Sequence, residues 1–274
     1  IGWGGLLFAR DVLPDTPALG YCEYYFHRYG GDIGFNPREP VTIGELERAR
    51  VRNMVQRATL EAIDAGFSPT QWQRSRYPKS TQPRIALCHE GVDTDLCRPD
   101  AAARYTLPDG RVVSAGDPVV TYAARGLEPY RGFPEFMRAA ARIAAKRRDV
   151  IFLVAGGDDV SYGRRPPNAV HTWREVMMAE TGIDPSRIVF LGTVDYAALI
   201  RLFQVSAAHV YLTVPFVLSW SMLEAMSCGA LVVGSNTAPV QEVIADRLNG
   251  LLADFWDADA LAETVLRALD AKAG

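Results

Sequence analysis

From residue 115 onward, short apolar runs rich in β-branched residues alternate with longer segments whose apolar positions recur at helical spacing. The runs Val119–Ala124, Asp149–Ala155, Arg187–Leu191, His209–Thr213 and Ala230–Gly234 predict strands, with a short one at Gly250–Leu252. The segments Phe133–Lys146, His171–Glu180, Asp195–Ser206, Ser221–Ser227, Val240–Ala245 and Ala258–Ala271 predict helices. Asp195 stands where an N-cap belongs, Gly229 stands where a helix stops, and a Pro-rich loop covers Arg164–Asn168. Strands that read as continuous apolar runs and alternate with helices belong to a parallel sheet covered on both faces. The expectation is an α/β fold with a complete doubly wound, Rossmann-like domain over residues 117–274. Ligands of such a sheet sit beyond the carboxyl ends of its strands, here the loops Arg125–Arg131, Gly156–Asp159, Gly192–Val194, Val214–Ser221 and Gly234–Pro239.

The first third is less regular. Thr16–Cys22 and Gln82–Cys88 predict strands and Ile43–Ile63 a long helix, which is part of a second α/β domain over residues 1–100. Residues 101–116, with Pro108, Asp109 and Gly110, predict a linker. The chain opens on Ile1 with no basic-then-apolar leader, and the opening strands of such a domain are not in the pattern. A fragment or processed form of a longer chain is therefore expected.

Composition narrows the class without choosing a function. The 274 residues are 49% hydrophobic and 22% charged with a net charge of −3, ordinary values for a folded chain with a sizeable core. Mild acidity argues against a nucleic-acid partner, because neutralising phosphates needs a basic face. No apolar run approaches the ~18 residues of a membrane span. The most apolar stretch, Ala207–Trp220, is interrupted by His209, Thr213, Pro215 and Ser219, so a cytoplasmic protein is expected. Arg48, Arg50, Arg52 and Arg57 cluster on the Ile43–Ile63 helix and read as a solvated face rather than a membrane contact. Cys22, Cys88, Cys97 and Cys228 form no CxxC pair, and His27, His89, His171 and His209 no HxxxH. Neither a disulfide framework nor a metal site is expected.

A few residues carry candidate chemistry. Arg125 follows the first strand of the second domain and Arg131 stands near the following helix start; two guanidinium forks beside helix amides suit a diphosphate. The plainer alternative is a pair of solvated arginines. Glu224, one turn into the Ser221–Ser227 helix, can accept the hydroxyls of a ribose; Ser221-x-x-Glu224 is equally a capping box. Glu242 reads as compensation for a helix dipole in its first turn. Asp93-x-Asp95 reads as a turn pair rather than a metal motif, and Gly156-Gly-Asp-Asp159 as a strand-end turn whose glycines either admit a ligand or are merely structural.

The order of these features resembles family 4 glycosyltransferases, retaining enzymes of the GT-B fold. The family's Arg, five residues, then Lys is matched by Arg125 and Arg131, with Arg replacing Lys. Ala155-Gly-Gly-Asp158 and Val189-Phe-Leu-Gly-Thr-Val194 follow its strand-end patterns. Leu223-Glu-Ala-Met-Ser-Cys-Gly229, Leu231–Val233 and Glu242 through Asn249-Gly250 follow its most recognisable block. Glu90-Gly-Val-Asp93 with Pro99 resembles its interdomain segment. Gly2-Trp-Gly-Gly5, Leu13-Pro-Asp-Thr-Pro17 and Tyr21-Cys-Glu-Tyr-Tyr25 look like the later half of an acceptor-side domain. Two departures stand out. The family's paired glutamates lie eight residues apart, and the position eight before Glu224 is Phe216; Glu23 stands where many relatives carry a histidine.

The resemblance implies a GT-B-like protein that moves a hexose from a nucleoside diphosphate sugar, UDP-sugar before GDP-sugar, to an acceptor hydroxyl with retention. It implies neither metal nor cofactor. Arg125, Arg131 and Glu23 would be catalytic. Glu224, the Ser219, Trp220 and Ser221 amides, Gly192, Thr193, Val194, Gly156 and Gly157 would hold the donor. Two other readings keep the same donor site: a nucleotide-sugar-binding module without transfer, and a GT-B-type epimerase.

Overall fold

The computed structural model describes residues 4–167 and 171–273; Ile1, Gly2, Trp3, Asn168 and Gly274, used in the sequence reading, lie outside them. The chain divides into two compact units, residues 1–91 with 214–217, and residues 92–213 with 218–274.

In the first unit the described elements are α1 (Ala9–Val12), β1 (Leu19–Tyr21), α2 (Ile43–Ala62), β2 (Ala65–Ser68), α3 (Gln71–Ser75) and β3 (Ile85–Leu87). The strands form a parallel sheet in the order β1-β2-β3. Parallel neighbours need a long crossover, and α2 supplies it between β1 and β2. The Thr42 hydroxyl accepts the Glu45 amide while Glu45 reaches back to the Thr42 amide, a capping box that fixes where α2 starts. Cys22, Tyr25, Leu60, Ile63, Tyr77 and Ile85 form the core of this unit. The strand β2 was not expected, and Gln82–Arg84 is a single 3₁₀ turn rather than the start of a strand.

The second unit holds β4 (Arg104–Thr106), β5 (Val112–Ser114), β6 (Val119–Gly126), α4 (Phe133–Lys146), β7 (Ile151–Gly157), α5 (Trp173–Thr181), β8 (Ile188–Gly192), α6 (Tyr196–Gln204), β9 (Ala208–Tyr211), α7 (Trp220–Ser227), β10 (Leu231–Ser235), α8 (Ala238–Gln241), β11 (Leu251–Ala253) and α9 (Ala258–Ala273). Among the described residues six strands make one parallel sheet in the order β11-β10-β9-β6-β7-β8. The chain builds outward from β6 to β8, then crosses back to pair β9 with the other edge of β6. This is the doubly wound order whose direction reverses between its first and fourth strands. Asp195 caps α6 as expected, its carboxylate accepting the Ala198 amide.

Residues 101–116, the expected linker, carry regular structure. β4 and β5 form an antiparallel hairpin, and Ala103, Leu107 and Val113 are buried with Val119, Leu153, Ala155, Leu202 and Val205. Asp109 and Gly110 mark its turn. Glu242 also departs from expectation: Thr237 and Pro239 start α8 early, so Glu242 lies at that helix's C-terminal end rather than in its first turn. Asp93 forms the turn expected of it, its carboxylate accepting the Asp95 and Leu96 amides.

One core group makes stability depend on pH. His209 on β9 is fully buried, its Nδ1 within 2.8 Å of the Thr121 hydroxyl. Burial lowers its pKa to about 3. Below pH ~6.5 the unfolded chain takes up a proton that the folded chain refuses, so stability is complete above that pH and is lost as pH falls toward 3. Between pH 7.5 and pH 5 the loss is about 2 kcal/mol from this group. Urea unfolding at the two pH values should show it, and His209→Gln, which cannot titrate, should lose less by about that amount. Equal losses would place the acid sensitivity elsewhere.

Candidate functional site

The reversal of strand order opens a crevice at the carboxyl ends of β6 and β9, where doubly wound sheets receive ligands. The β6 side carries both candidate arginines. The pairing of β6 with β7 skips from Ala123–Ala155 to Gly126–Gly157, which leaves one extra residue on β6. Such a bulge re-aims side chains at the end of a strand, and Arg125 sits in it, exposed and without a hydrogen bond or ion pair among the described residues. The chain then runs through a 3₁₀ turn, Pro129–Arg131, to Gly132 and the start of α4.

Arg131 is held on several sides. Its carbonyl accepts the Tyr122 hydroxyl at 2.8 Å. Its Nη1 donates to Thr213 Oγ1 at 2.7 Å, which joins the loop after β6 to the loop after β9. Its guanidinium carbon lies 5.5 Å from the centre of the Tyr162 ring. Burial raises the pKa of the nearby Tyr211 phenol, and the Arg131 charge opposes that rise. A half-buried guanidinium fixed at a switch point is a standing receptor for an anion.

The loop after β9 leads into α7, whose N-cap is Ser219. The Ser219 amide, expected to face the donor, donates here to the Tyr211 hydroxyl at 2.7 Å. The Trp220 and Ser221 amides have no partner among the described residues, and helix N-terminal amides attract anions. The Ser219 and Ser221 hydroxyls bond each other at 2.9 Å, and the Trp220 side chain is exposed.

The capping box read from Ser221 and Glu224 does not form, because the helix starts earlier, at Trp220. Glu224 is buried and accepts the Tyr196 hydroxyl at 2.8 Å through Oε1. Its Oε2 has no protein donor among the described residues, so the carboxylate keeps accepting capacity for a ligand hydroxyl.

The ends of β7 and β8 lie further along the same sheet edge. Gly156 is required by the protein itself: a Cβ there would stand 2.5 Å from the Ala124 carbonyl oxygen. Gly157 and Thr193 are neighbours, a Cβ on Gly157 falling 3.4 Å from Thr193 Oγ1. Gly192 has φ +66° and turns the chain out of β8; Thr193 is exposed, whereas Val194 packs on the hydrophobic core.

In the first unit, Glu23 follows β1, half-buried, and its carbonyl accepts Gln73 Nε2 at 2.8 Å. Phe216, at the position of the missing glutamate, belongs to this unit and meets the Tyr24 ring edge-on at 4.5 Å. Tyr24 also packs on Phe26 and Trp72, so an aromatic cluster occupies this position in place of a carboxylate. Thr213, Tyr196 and Tyr162 were not expected from the sequence; each acts through a partner distant in the chain.

The comparisons with known proteins agree with this architecture. A profile described as "Glycosyl transferases group 1" matches residues 117–271, and one described as "Glycosyl transferase family 4 group" matches residues 1–97. The chain belongs to the group 1 glycosyltransferases of family 4, and its fold is GT-B-like. A D-inositol 3-phosphate glycosyltransferase of Mycolicibacterium smegmatis is 28% identical over 285 residues, covering 93% of this chain and 61% of that protein. Sucrose-phosphate synthase from Thermosynechococcus elongatus has a similar structure, with a TM-score of 0.71 at 22% identity, covering 99% of this chain and 63% of that one. HepE of Anabaena, determined in complex with UDP and glucose, gives a TM-score of 0.70 at 15% identity over 97% of this chain and 66% of its own. The chain thus spans under two thirds of the first curated relative. No helix among the described residues is long and apolar enough to cross a membrane.

Proposed function

We propose that the protein transfers a hexose from a nucleoside diphosphate sugar to an acceptor hydroxyl, with retention at the anomeric carbon and without a bound metal. UDP-sugar is the first choice of donor and GDP-sugar the second. The observation that carries the reading is the Arg131–Thr213 bond across the β6/β9 switch point, beside the open amides of α7. Breaking the bond between the sugar and the leaving phosphate builds positive charge on the sugar and negative charge on the diphosphate. Arg131 and Arg125 meet that negative charge, in the place a divalent cation would otherwise take. The Trp220 and Ser221 amides hold phosphate oxygens, Glu224 accepts ribose hydroxyls, and the Gly157 and Gly192–Val194 edge receives the base. Binding the nucleotide at these remote points positions the reacting carbon. Glu23 is the acceptor-side carboxylate. Membership of family 4 supports retention, and the UDP held by HepE supports the choice of base.

Calorimetric titration with UDP, GDP, ADP and CMP tests the reading. One nucleotide should bind, and transfer from its sugars should follow. No binding by a folded sample would remove the proposal. If Glu224 holds the ribose, Glu224→Ala should weaken UDP about 10- to 100-fold and erase its advantage over 2′-deoxy-UDP, since a hydrogen bond to a charged group is worth about 1.5–3 kcal/mol. An unchanged advantage would leave Glu224 with only its Tyr196 contact.

A further inference from the structure

Glu128 lies three residues before Arg131 and is fully buried. It gathers the backbone of a different segment. Oε1 accepts the Ser161 amide at 3.2 Å and the Tyr162 amide at 3.1 Å; Oε2 accepts Tyr162 at 3.1 Å and Gly163 at 2.6 Å. Successive amides converging on one anion form a nest, and a buried carboxylate fills it with charge-assisted bonds. The segment so fastened carries Tyr162, whose ring lies against the Arg131 guanidinium and 5.6 Å from the Tyr130 ring. Arg131 is therefore bounded by Thr213 on one side and by an aromatic face on another.

We propose that Glu128 is a positioning residue for Arg131: it fastens residues 161–163 so that Tyr162 holds the guanidinium against Thr213, ready for the second phosphate of a nucleoside diphosphate. This rests on the reading of Arg131 as the diphosphate contact. An arginine side chain gives up rotamer freedom when it is fixed. A clamp that fixes it before the nucleotide arrives removes that loss from binding. Glu128 thus acts on the nucleotide through two intermediates and touches it itself nowhere. Replacing the carboxylate by an amide keeps one acceptor oxygen but sets an NH2 group against the backbone amides that the other oxygen accepted, which loosens the segment and the ring together.

The readout is the ratio of UDP to UMP affinity, or of GDP to GMP if guanosine is the base that binds, because only the diphosphate reaches the clamped group. Arg131→Ala should bring the ratio down about tenfold while UMP binding persists. Glu128→Gln and Tyr162→Ala should each do the same, Tyr162→Phe should retain the parental ratio, and Glu128→Gln should add nothing in an Arg131→Ala background. If Glu128→Gln does not fold, Tyr162→Ala decides. A ratio that falls in Arg131→Ala but stays parental in Glu128→Gln and Tyr162→Ala overturns the clamp and leaves the diphosphate reading standing. A ratio untouched by Arg131→Ala overturns that reading of Arg131, and the clamp with it.

Discussion

Arg131→Ala should lower turnover about 10²- to 10³-fold while the KM for the donor sugar moves only a few-fold, because the charge it meets develops in the transition state. The intact donor already carries a diphosphate, but the departing diphosphate gains a further negative charge as the bond to the sugar breaks. A guanidinium fixed on Thr213 needs no rearrangement when that charge appears. Free UDP resembles the departed group more closely than the donor does. Its affinity should therefore fall further than the donor KM rises, in line with the UDP-to-UMP ratio proposed above. Arg125, exposed in its bulge and not held by the protein, should matter less. Steady-state kinetics of the two alanine variants with one donor checks the order. A rise in KM alone, with turnover kept, would make Arg131 a binding group only.

The local setting of Arg131 is legible in the sequence: a strand, a short loop, a helix start. So is that of Glu224, one turn into a helix that follows an apolar strand. What fastens each of them comes from far along the chain. Thr213 read as the last residue of a strand, yet β9 ends at Tyr211 and leaves Thr213 in the loop where Arg131 reaches it. Tyr196 lies beyond the N-cap of α6 and looked like an ordinary helix residue until folding brought its hydroxyl to Glu224. Glu128 reads as a loop carboxylate between Leu127 and Pro129, and no spacing signals that it will be buried under amides more than thirty residues away. The strand β2, Ala65–Ser68, escaped because its Ala-Gly-Phe-Ser sequence has no β-branched residue; its neighbours β1 and β3 make it a strand. The β4–β5 hairpin escaped for the opposite reason. Its Pro and Asp-Gly punctuation read as a linker, while Ala103, Leu107 and Val113 carried the burial.

Gly132→Ala should lose roughly 2–5 kcal/mol of stability, more than most single substitutions, from two separate causes. Gly132 has φ +68°, a left-handed conformation that costs an alanine about 1–2 kcal/mol. Its Cβ would also stand 2.5 Å from Leu212 Cβ, an atom that no rotamer change can move away. Overpacking of that kind typically costs about 1–3 kcal/mol. Gly182 separates the causes: it has φ +59° with open space where a Cβ would go, so Gly182→Ala should show the backbone cost alone. The contact also couples stability to the site. Leu212 lies between Tyr211 and Thr213, and Gly132 directly follows Arg131, so relief of the clash must shift one side of the Arg131–Thr213 bond. Urea unfolding of both variants, with UDP and UMP titrations of Gly132→Ala at a temperature where it remains folded, tests both parts. A Gly132→Ala protein that loses no more than Gly182→Ala would show that the β9 exit yields freely. The tight junction at the switch point would then not be what holds Arg131 in place.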